Sequence, residues 1–298
     1  MKKRLKVYIS LVLLFFSCTQ ISPLDSGNYD SSNSNGLDII TWNLEHFPIH
    51  PLTPAHTANV IDSIQIDIAA FQEIENLSDF QTITQFLPGW GGFRSGGNSG
   101  WQELAFIWDS STVTNTDFYE IYTDNSSAFP RPPLVMECIW DSTEFVIINN
   151  HLKCCGDGIL NSDEWWDEEY RRLQAAILLE EYIAGHFDDK NVILVGDLND
   201  ILTDFEENNV FNVFLNQPEK YFFVDEDIAV GSAENWSYPG WPSHIDHILI
   251  TDELFPAFQN SHSKVLTLNI EYNFTDGLAG YYHYLSDHRP VYLKLVFE

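Results

Sequence analysis

Two acidic side chains and a carboxamide close an apolar run in the stretch LVGDLND, residues 194–200. Asp197 and Asn199 there call for a function, because a charge at the end of a buried strand is costly unless it meets a partner or a metal. The same kind of interruption recurs along the chain. In order it gives Asn43 and Glu45 in TWNLE, Gln72 and Glu73 in FQEI, Glu103 in WQELAF and Arg131 in FPRPPLVM. Then come Asn150 and His151 in INNHLK, Asp246 in SHIDHIL, and Asp287 and His288 in SDHRPV. Nearly all stand at or just past the end of an apolar run, where a rigid scaffold can aim several side chains at one point.

The elements that must do the aiming are legible as runs rich in Ile, Val and Phe. The stretches 37–44, 66–74, 103–109, 134–140, 144–152, 191–198, 244–251 and 291–297 read as strands. Helical spacing of apolar residues marks 54–65, 76–87 and 167–187, the last with a stripe of Leu173, Ile177, Leu178, Leu179 and Ile183. Strands apolar on both faces, flanked by such helices, predict two packed sheets with helices outside.

Lys2, Lys3, Arg4 and Lys6 precede an apolar run from Val7 to Phe16, too short to span a bilayer. Residues 1–17 are therefore expected to be an export signal. Ser17 and Cys18 resemble a loose bacterial lipobox, in which the cysteine is lipidated and becomes the mature N-terminus. Residues 18–36, poor in apolar side chains, read as a lipidated start and flexible tether. One domain of residues 37–298 follows, with no internal repeat, and a monomer is expected. Without the leader the chain has 10 basic against 44 acidic residues, a net of −34. Such a field disfavours a long polyanion, whose binding depends on Lys and Arg.

Four cysteines are present, Cys18, Cys138, Cys154 and Cys155. A hairpin through Asp141, Ser142 and Thr143 sets Trp140 opposite Glu144 and Cys138 opposite Val146. Cys154 then lies roughly 25 Å from Cys138 at about 3.3 Å per residue, too far for a bridge. The adjacent pair Cys154 and Cys155 is left open between closing on itself and staying reduced.

The ordered set TWNLE, QE, NNHLK, GDLND, HIDHI and SDHRPV resembles the endonuclease/exonuclease/phosphatase family, the fold of DNase I, over most of 37–298. That resemblance implies a four-layered α/β sandwich of two packed mixed sheets flanked by helices. It also implies a metal-dependent phosphoric ester hydrolase. A phosphodiester repels hydroxide, so its hydrolysis needs a cation on the non-bridging oxygens, an activated water and a charged donor. By resemblance Glu73 is the chief Mg²⁺ ligand, with Mn²⁺ or Ca²⁺ as alternatives, and Asn43, Asp287 and Glu45 are further metal ligands. Asp197 and Asn199 lie at the attacking water, Asp246 orients His288, and His288 touches the phosphate. His151 is similar to the second catalytic histidine of the DNase I branch, with Glu103 as its orienting carboxylate. Arg131 and Asn150 are the expected substrate contacts.

His46, His244 and His247 read as supporting or internally satisfied histidines, and the acidic stretch 154–169 as a solvated loop and helix start. Trp165 and Trp166 fit either a substrate wall or the core. The resulting expectation is a secreted, membrane-tethered, Mg²⁺-dependent phosphoesterase at a bacterial outer membrane, on its periplasmic or outer face. The His151 and Glu103 pattern favours a nuclease. The charge favours a phosphatase or phosphodiesterase acting on a lipid head group or small molecule. A binding lipoprotein without turnover is the third alternative.

Overall fold

The computed structural model describes residues 36–96 and 101–297. The leader, Cys18 and the tether before Gly36 lie outside the described residues. Among the described residues twelve strands run as β1 (Gly36–Phe47), β2 (Ile68–Ile74), β3 (Trp90–Arg94), β4 (Glu103–Asp109), β5 (Val113–Glu120) and β6 (Leu134–Trp140). They continue as β7 (Thr143–His151), β8 (Asn191–Asp197), β9 (Tyr221–Phe223), β10 (Asp246–Thr251), β11 (Lys264–Thr267) and β12 (Val291–Val296). The three long helices are α1 (Thr53–Ile64), α2 (Leu77–Phe86) and α3 (Glu168–His186). None is long and apolar enough to cross a membrane, nor is any other helix among the described residues.

Two six-stranded mixed sheets form, in the orders β11-β12-β1-β2-β4-β3 and β5-β6-β7-β8-β10-β9. Each is organised around one parallel pair, β1 with β2 and β7 with β8. A helix makes each crossover, α1 between β1 and β2 and α3 between β7 and β8. The carboxyl ends of all four strands therefore point to one pole. Inward side chains such as Ile39, Phe106, Met136, Ile147, Val195 and Leu293 close the interface between the sheets. Separate apolar layers lie under α1 and α2, around Trp42, Phe71 and Ile61, and under α3, around Leu179, Ile148 and Leu194. The expected sandwich of two sheets with helices outside is the fold observed.

All eight strands anticipated from apolar runs are interior to a sheet. The four that were not, β3, β5, β9 and β11, are its four edges. An edge strand pairs on one side only and is kept short or polar, so WGGFR, VTNTDFYE, YFF and KVLT carry no two-faced apolar signal. The β6–β7 hairpin also differs by one residue from expectation. Trp140 pairs with Thr143 and Cys138 with Phe145. The turn holds two residues rather than three, Asp141 and Ser142, at φ of 42° and 69°. Positive φ at both matches the right-handed strand twist and tightens the loop. Cys138 is buried and bridged to no other cysteine among the described residues.

On α3 the buried face includes Ala175 and Ala176 with Leu179 and Ile183, while Leu173, Ile177 and Leu178 are half-buried. The small pair lets the helix lie close to the sheet. Asp167 caps its start, accepting from the Tyr170 N–H at 2.8 Å. One glycine is indispensable to the functional pole. Gly196 sits at φ 144°, and a Cβ there would lie 2.0 Å from the Asn150 carbonyl oxygen. Only glycine lets β8 reach Asp197 beside β7.

Candidate active site

Three neighbouring strands line up one residue each: His151 at the end of β7 pairs with Asp197 of β8, and Asp197 pairs with Asp246 of β10. The other sheet faces them with Asn43 of β1 and Glu73 of β2. There the β1–β2 register shifts after Asn43, and Glu45, His46 and Glu73 take φ of 40°, 47° and 61°. The irregularity turns Glu45 and Glu73 toward the pole instead of along the sheet.

Asn43 bridges the sheets. Its amide donates to Asp197 Oδ2 at 2.9 Å and to Glu73 Oε1 at 3.2 Å, and its oxygen accepts from the Glu45 N–H at 2.9 Å. It thus spaces two carboxylates through its nitrogen, while its oxygen, the atom a metal would take, keeps a lone pair beyond the Glu45 N–H. Beneath it, Gln72 Nε2 donates to Asn149 Oδ1 at 2.7 Å, and Asn149 Nδ2 donates to the Phe71 and Ala105 carbonyls. This fully buried pair of amides ties β2 to β7 directly under the site.

His288 is fixed through its own backbone. Its N–H donates to Ser286 Oγ at 2.9 Å, Ser286 Oγ donates to the Asn43 carbonyl at 2.6 Å, and its carbonyl accepts from Trp42 Nε1 and Tyr281 Oη. Nδ1 meets Asp246 Oδ2 at 2.8 Å, and Nε2 faces Asp197 Oδ2 and Asp287 Oδ1, each at 3.9 Å. Burial opposes the imidazolium, yet Asp246 and Asp197 outweigh it and push His288 up to about 10. The Tyr238 ring lies 4.7 Å from that imidazole.

Carboxylates crowd the rest of the pocket. Burial, then Asp287 and Glu73, push Glu45 up to about 7. Burial raises Asp287, with Glu73 adding to the shift. Burial also pushes Asp197 up to about 7, against the pull of His288 and the Asn43 amide. The His288 imidazolium pulls Glu45 the other way. Glu45 and Asp287, each with raised proton affinity beside Glu73, form with it a set of hard-oxygen side chains that fits a divalent cation, which takes oxygen ligands and removes the repulsion. Glu73, Glu45 and Asp287 would hold it. Among the described residues two tighter groups of possible ligands occur, the second closed by its own hydrogen bonds and the first joined through Asp246 and His288, with Asp197 3.9 Å from that imidazole. One is Asp197, Asp246 and His288; the other is Asp225, His244 and His247. In the second, Asp225 Oδ2 meets His244 Nε2 at 3.0 Å and His247 Nδ1 at 2.6 Å. His247 Nε2 donates to the Asp200 carbonyl at 2.9 Å. Both expected supporting histidines are therefore internally satisfied, and His247 braces the loop after Asp197. His46 instead donates its N–H to Glu73 Oε2 at 2.9 Å and meets Glu75 through Nδ1 at 2.7 Å.

His151 is brought to the pocket beside Arg131 and Asp197. Its Nε2 lies 2.8 Å from Arg131 Nη2 and 3.5 Å from Asp197 Oδ2. Burial, Arg131 and His288 hold its pKa far below the usual range, so it is a neutral imidazole accepting from the guanidinium. Nδ1 is buried without a partner among the described residues. Glu103 does not orient it, because the Glu103 carboxylate accepts from Ser95 Oγ at 2.8 Å. Gln102 is the residue missed here: its Oε1 accepts from Arg131 at 3.1 Å and holds that arginine at the pocket. Asn150 is also corrected. Strand alternation turns it to the α3 side, where its amide donates to the Ile148 and Val195 carbonyls, while Asn149 takes the inner face. Asn199, at φ 54°, donates its N–H to Asp197 Oδ1 at 3.0 Å and its amide to the Leu152 carbonyl at 3.3 Å. Trp165 and Trp166 are 70% and 55% exposed, which removes them from the core.

The family model described as Endonuclease/Exonuclease/phosphatase family matches residues 40–288. No curated protein sequence matches the chain. Among solved structures, D. rerio TDP2 complexed with a single-strand DNA product is similar over 90% of this chain and 100% of that one. The TM-score is 0.66 at 16% identity. The Bacteroides thetaiotaomicron mannosyl-6-phosphatase Bt3783 is similar over 88% and 100%, with TM-score 0.61 at 18% identity. The human Nocturnin catalytic domain with bound sulfate is similar over 89% and 94%, with TM-score 0.59 at 16% identity. With the motif order, the two-sheet fold and the strand-end cluster in agreement, the chain belongs to the endonuclease/exonuclease/phosphatase family and is a phosphoester hydrolase by that membership.

Proposed function

We propose that the protein is an exported, lipid-anchored, divalent-cation-dependent hydrolase of small phosphoesters. The observation that carries the catalytic part is the facing of Glu45, Glu73 and Asp287 against Asp197 and the His288 imidazolium in one pocket. A bound Mg²⁺ would neutralise charge on the phosphoryl oxygens. Arg131 and His288 supply the positive hydrogen-bond donors that grip those oxygens. Asp197 takes the proton of the attacking water as its oxygen bonds to phosphorus and the ester P–O bond breaks. A carboxylate titrating near neutrality suits that transfer.

The size of the substrate follows from where the cations are. Ten Lys and Arg lie from residue 37 onward. Arg172, Arg289 and Lys294 are buried in ion pairs with Asp200, Glu271 and Asp38, and Arg94 donates to the Ile74 and Ser95 carbonyls. Arg171 is held by the Ser126 and Ser127 carbonyls. Lys190, Lys220 and Lys264 adjoin strand ends at the opposite pole. Arg131, held by Gln102 and His151, and Lys153, donating to the Cys154 carbonyl, stand at the site pole and are the two we assign to the substrate. A long polyanion is gripped through many such contacts, and two suit a single phosphoryl group. The nuclease expectation rested on a His151–Glu103 pairing that is not made. The similar structures span both chemistries by their names, one with a DNA product and one a mannosyl-6-phosphatase.

Anchoring rests on the leader and Cys18. The fold is compatible with it: β1 runs from Gly36 to Asn43 seven residues on, about 23 Å at roughly 3.3 Å each. The chain thus enters the domain at the pole opposite the site, which leaves the pocket facing away from an anchor. Replacing Cys18 by Ser is expected to move the protein from the membrane fraction to the soluble one with unchanged turnover per molecule. A variant still membrane-bound after carbonate washing contradicts lipid anchoring.

Turnover should show an acid limb, because only deprotonated Asp197 accepts the proton. Its pKa is raised, so kcat/KM is expected to rise about tenfold per pH unit below about 7 and to level above it. Asn43→Ala removes a hydrogen bond that favours the carboxylate, and should move the limb to higher pH. An unmoved limb would take Asp197 out of the proton transfer.

The direct test is hydrolysis of p-nitrophenyl phosphate, bis-p-nitrophenyl phosphate, a hexose 6-phosphate and plasmid DNA, with Mg²⁺ and with chelator. Small phosphoesters should turn over, chelator should abolish activity, and Glu73→Gln should lose roughly 10²-fold, partly recovered by excess Mg²⁺. DNA cleavage without turnover of the small esters would overturn the substrate class. Inertness toward all four would overturn the hydrolase reading.

A further inference from the structure

Cys154 and Cys155 belong to none of the groups assigned above, yet they stand on the turn that leaves β7 just after His151. Their sulfurs lie 2.9 Å apart, with Cys155 exposed and Cys154 half-buried. The remaining described thiol cannot compete for either: Cys138 is sealed between the sheets, and burial pushes it up to about 12.

The turn is held from outside by one buried arginine. Arg172 Nη1 donates to the Lys153 carbonyl at 2.8 Å and to the Cys155 carbonyl at 2.7 Å, clamping the backbone on both sides of Cys154. Its Nε reaches Asp200 Oδ2 at 2.8 Å, and its Nη2 reaches Glu169 Oε1 at 3.2 Å. Glu169 in turn accepts from the Gly158 N–H at 2.7 Å. Cys155 is fixed at φ 73°, and at Gly156, φ 110°, a Cβ would lie 2.1 Å from Glu169 Oε1. Lys153, at the rim, donates to the Cys154 carbonyl at 2.8 Å and lies 3.7 Å from Glu168. The same arginine therefore couples this turn to the loop carrying Asp197 and Asn199.

We propose that Cys154 and Cys155 are a disulfide-forming site, in which neighbouring residues are joined by exchange with a small-molecule disulfide, and that the bond staples the turn carrying Lys153. The exposed Cys155 loses its proton and attacks one sulfur of the oxidant, forming a mixed disulfide and expelling a first thiolate. Cys154, deprotonated in its turn, attacks the Cys155 sulfur and expels the second. Two cysteine thiols give one disulfide, and one oxidant disulfide gives two thiols. Adjacent Cα atoms stand about 3.8 Å apart across a trans peptide, shorter than the usual disulfide span of roughly 4.4–6.8 Å. The bond therefore carries strain and belongs with the readily reduced disulfides. The Arg172 clamp lowers its conformational cost by holding the turn before the bond forms. The inference concerns thiol chemistry and stands independently of the substrate.

The purified full chain is incubated with oxidised glutathione, denatured, alkylated with iodoacetamide and digested with trypsin. Cleavage after Lys153 and Arg171 releases residues 154–171 with both sulfurs. This peptide is expected two hydrogens lighter than the dithiol and free of alkyl groups and glutathione. Dithiothreitol applied to the folded protein should make both sulfurs alkylatable, while Cys138 reacts only after unfolding. Recovery of a glutathione adduct, a cross-linked dimer or a doubly alkylated peptide would overturn the disulfide. Hydrogen exchange of the amides from 153 to 158 supplies the second reading. Exchange at least about fivefold faster after reduction, matched by the Cys154→Ser/Cys155→Ser variant, supports the staple, and an unchanged rate would overturn it.

Discussion

Like charge held at close quarters is the constraint around which the functional pole is built. Glu45, Glu73, Asp197, Asp246 and Asp287 converge there from both sheets, and the imidazolium of His288 answers only part of their charge. Burial makes the remainder expensive, so the carboxylates take up protons or share a cation. Glu45 and Asp197, both pushed up to about 7, register that pressure from two sides of the pocket. Asn43 donates to the Glu73 and Asp197 carboxylates and keeps the Glu73 side of the pocket apart from the Asp197 side.

The fold keeps this arrangement rigid by spending buried hydrogen bonds on its floor and walls. Gln72 and Asn149 join the sheets beneath the pocket. His288 hangs from Trp42, Tyr281 and Ser286, so its ring is aimed before any ligand arrives. Asp200 is gripped twice, by Arg172 at its carboxylate and by His247 at its carbonyl. With both ring nitrogens of His247 donating, to Asp225 and to Asp200, that histidine is an imidazolium beside a buried carboxylate. Burial opposes the charge on Asp225, but the two histidines hold its pKa below the ordinary range. Such a pair contributes stability that is lost as pH falls through the depressed carboxylate pKa.

Much of this was legible in the residues, and what was not failed for particular physical reasons. Interior strands announce themselves because both faces are buried, whereas β3, β5, β9 and β11 pair on one edge and carry no such run. The chemical groups at strand ends could be named from type and order, and Asn43, Glu45, Glu73, Asp197, Asp246, Asp287, His288, Arg131 and His151 do meet at one pole. Their pairings could not. Period-two alternation turns Asn149 inward and Asn150 outward, a distinction of one residue that depends on register. Glu103 finds Ser95 across β3 and β4, a contact invisible until the edge strand β3 is known. The family resemblance supplied a metal role for Asn43, and the local geometry adds what its amide nitrogen does, which is to donate to Asp197 and Glu73.

The central claim is that a divalent cation relieves the crowding by binding Glu73, Glu45 and Asp287. Isothermal titration calorimetry of Mg²⁺ or Mn²⁺ into the full chain near pH 7, repeated in buffers of different ionisation enthalpy, measures affinity and proton release together. The account predicts binding of one ion with a fraction of a proton released, because Glu45 is partly protonated before the ion arrives. Both should be strongly reduced in Glu73→Gln and preserved in His151→Ala. Binding that survives Glu73→Gln unchanged, or that releases no proton at neutral pH, would contradict it.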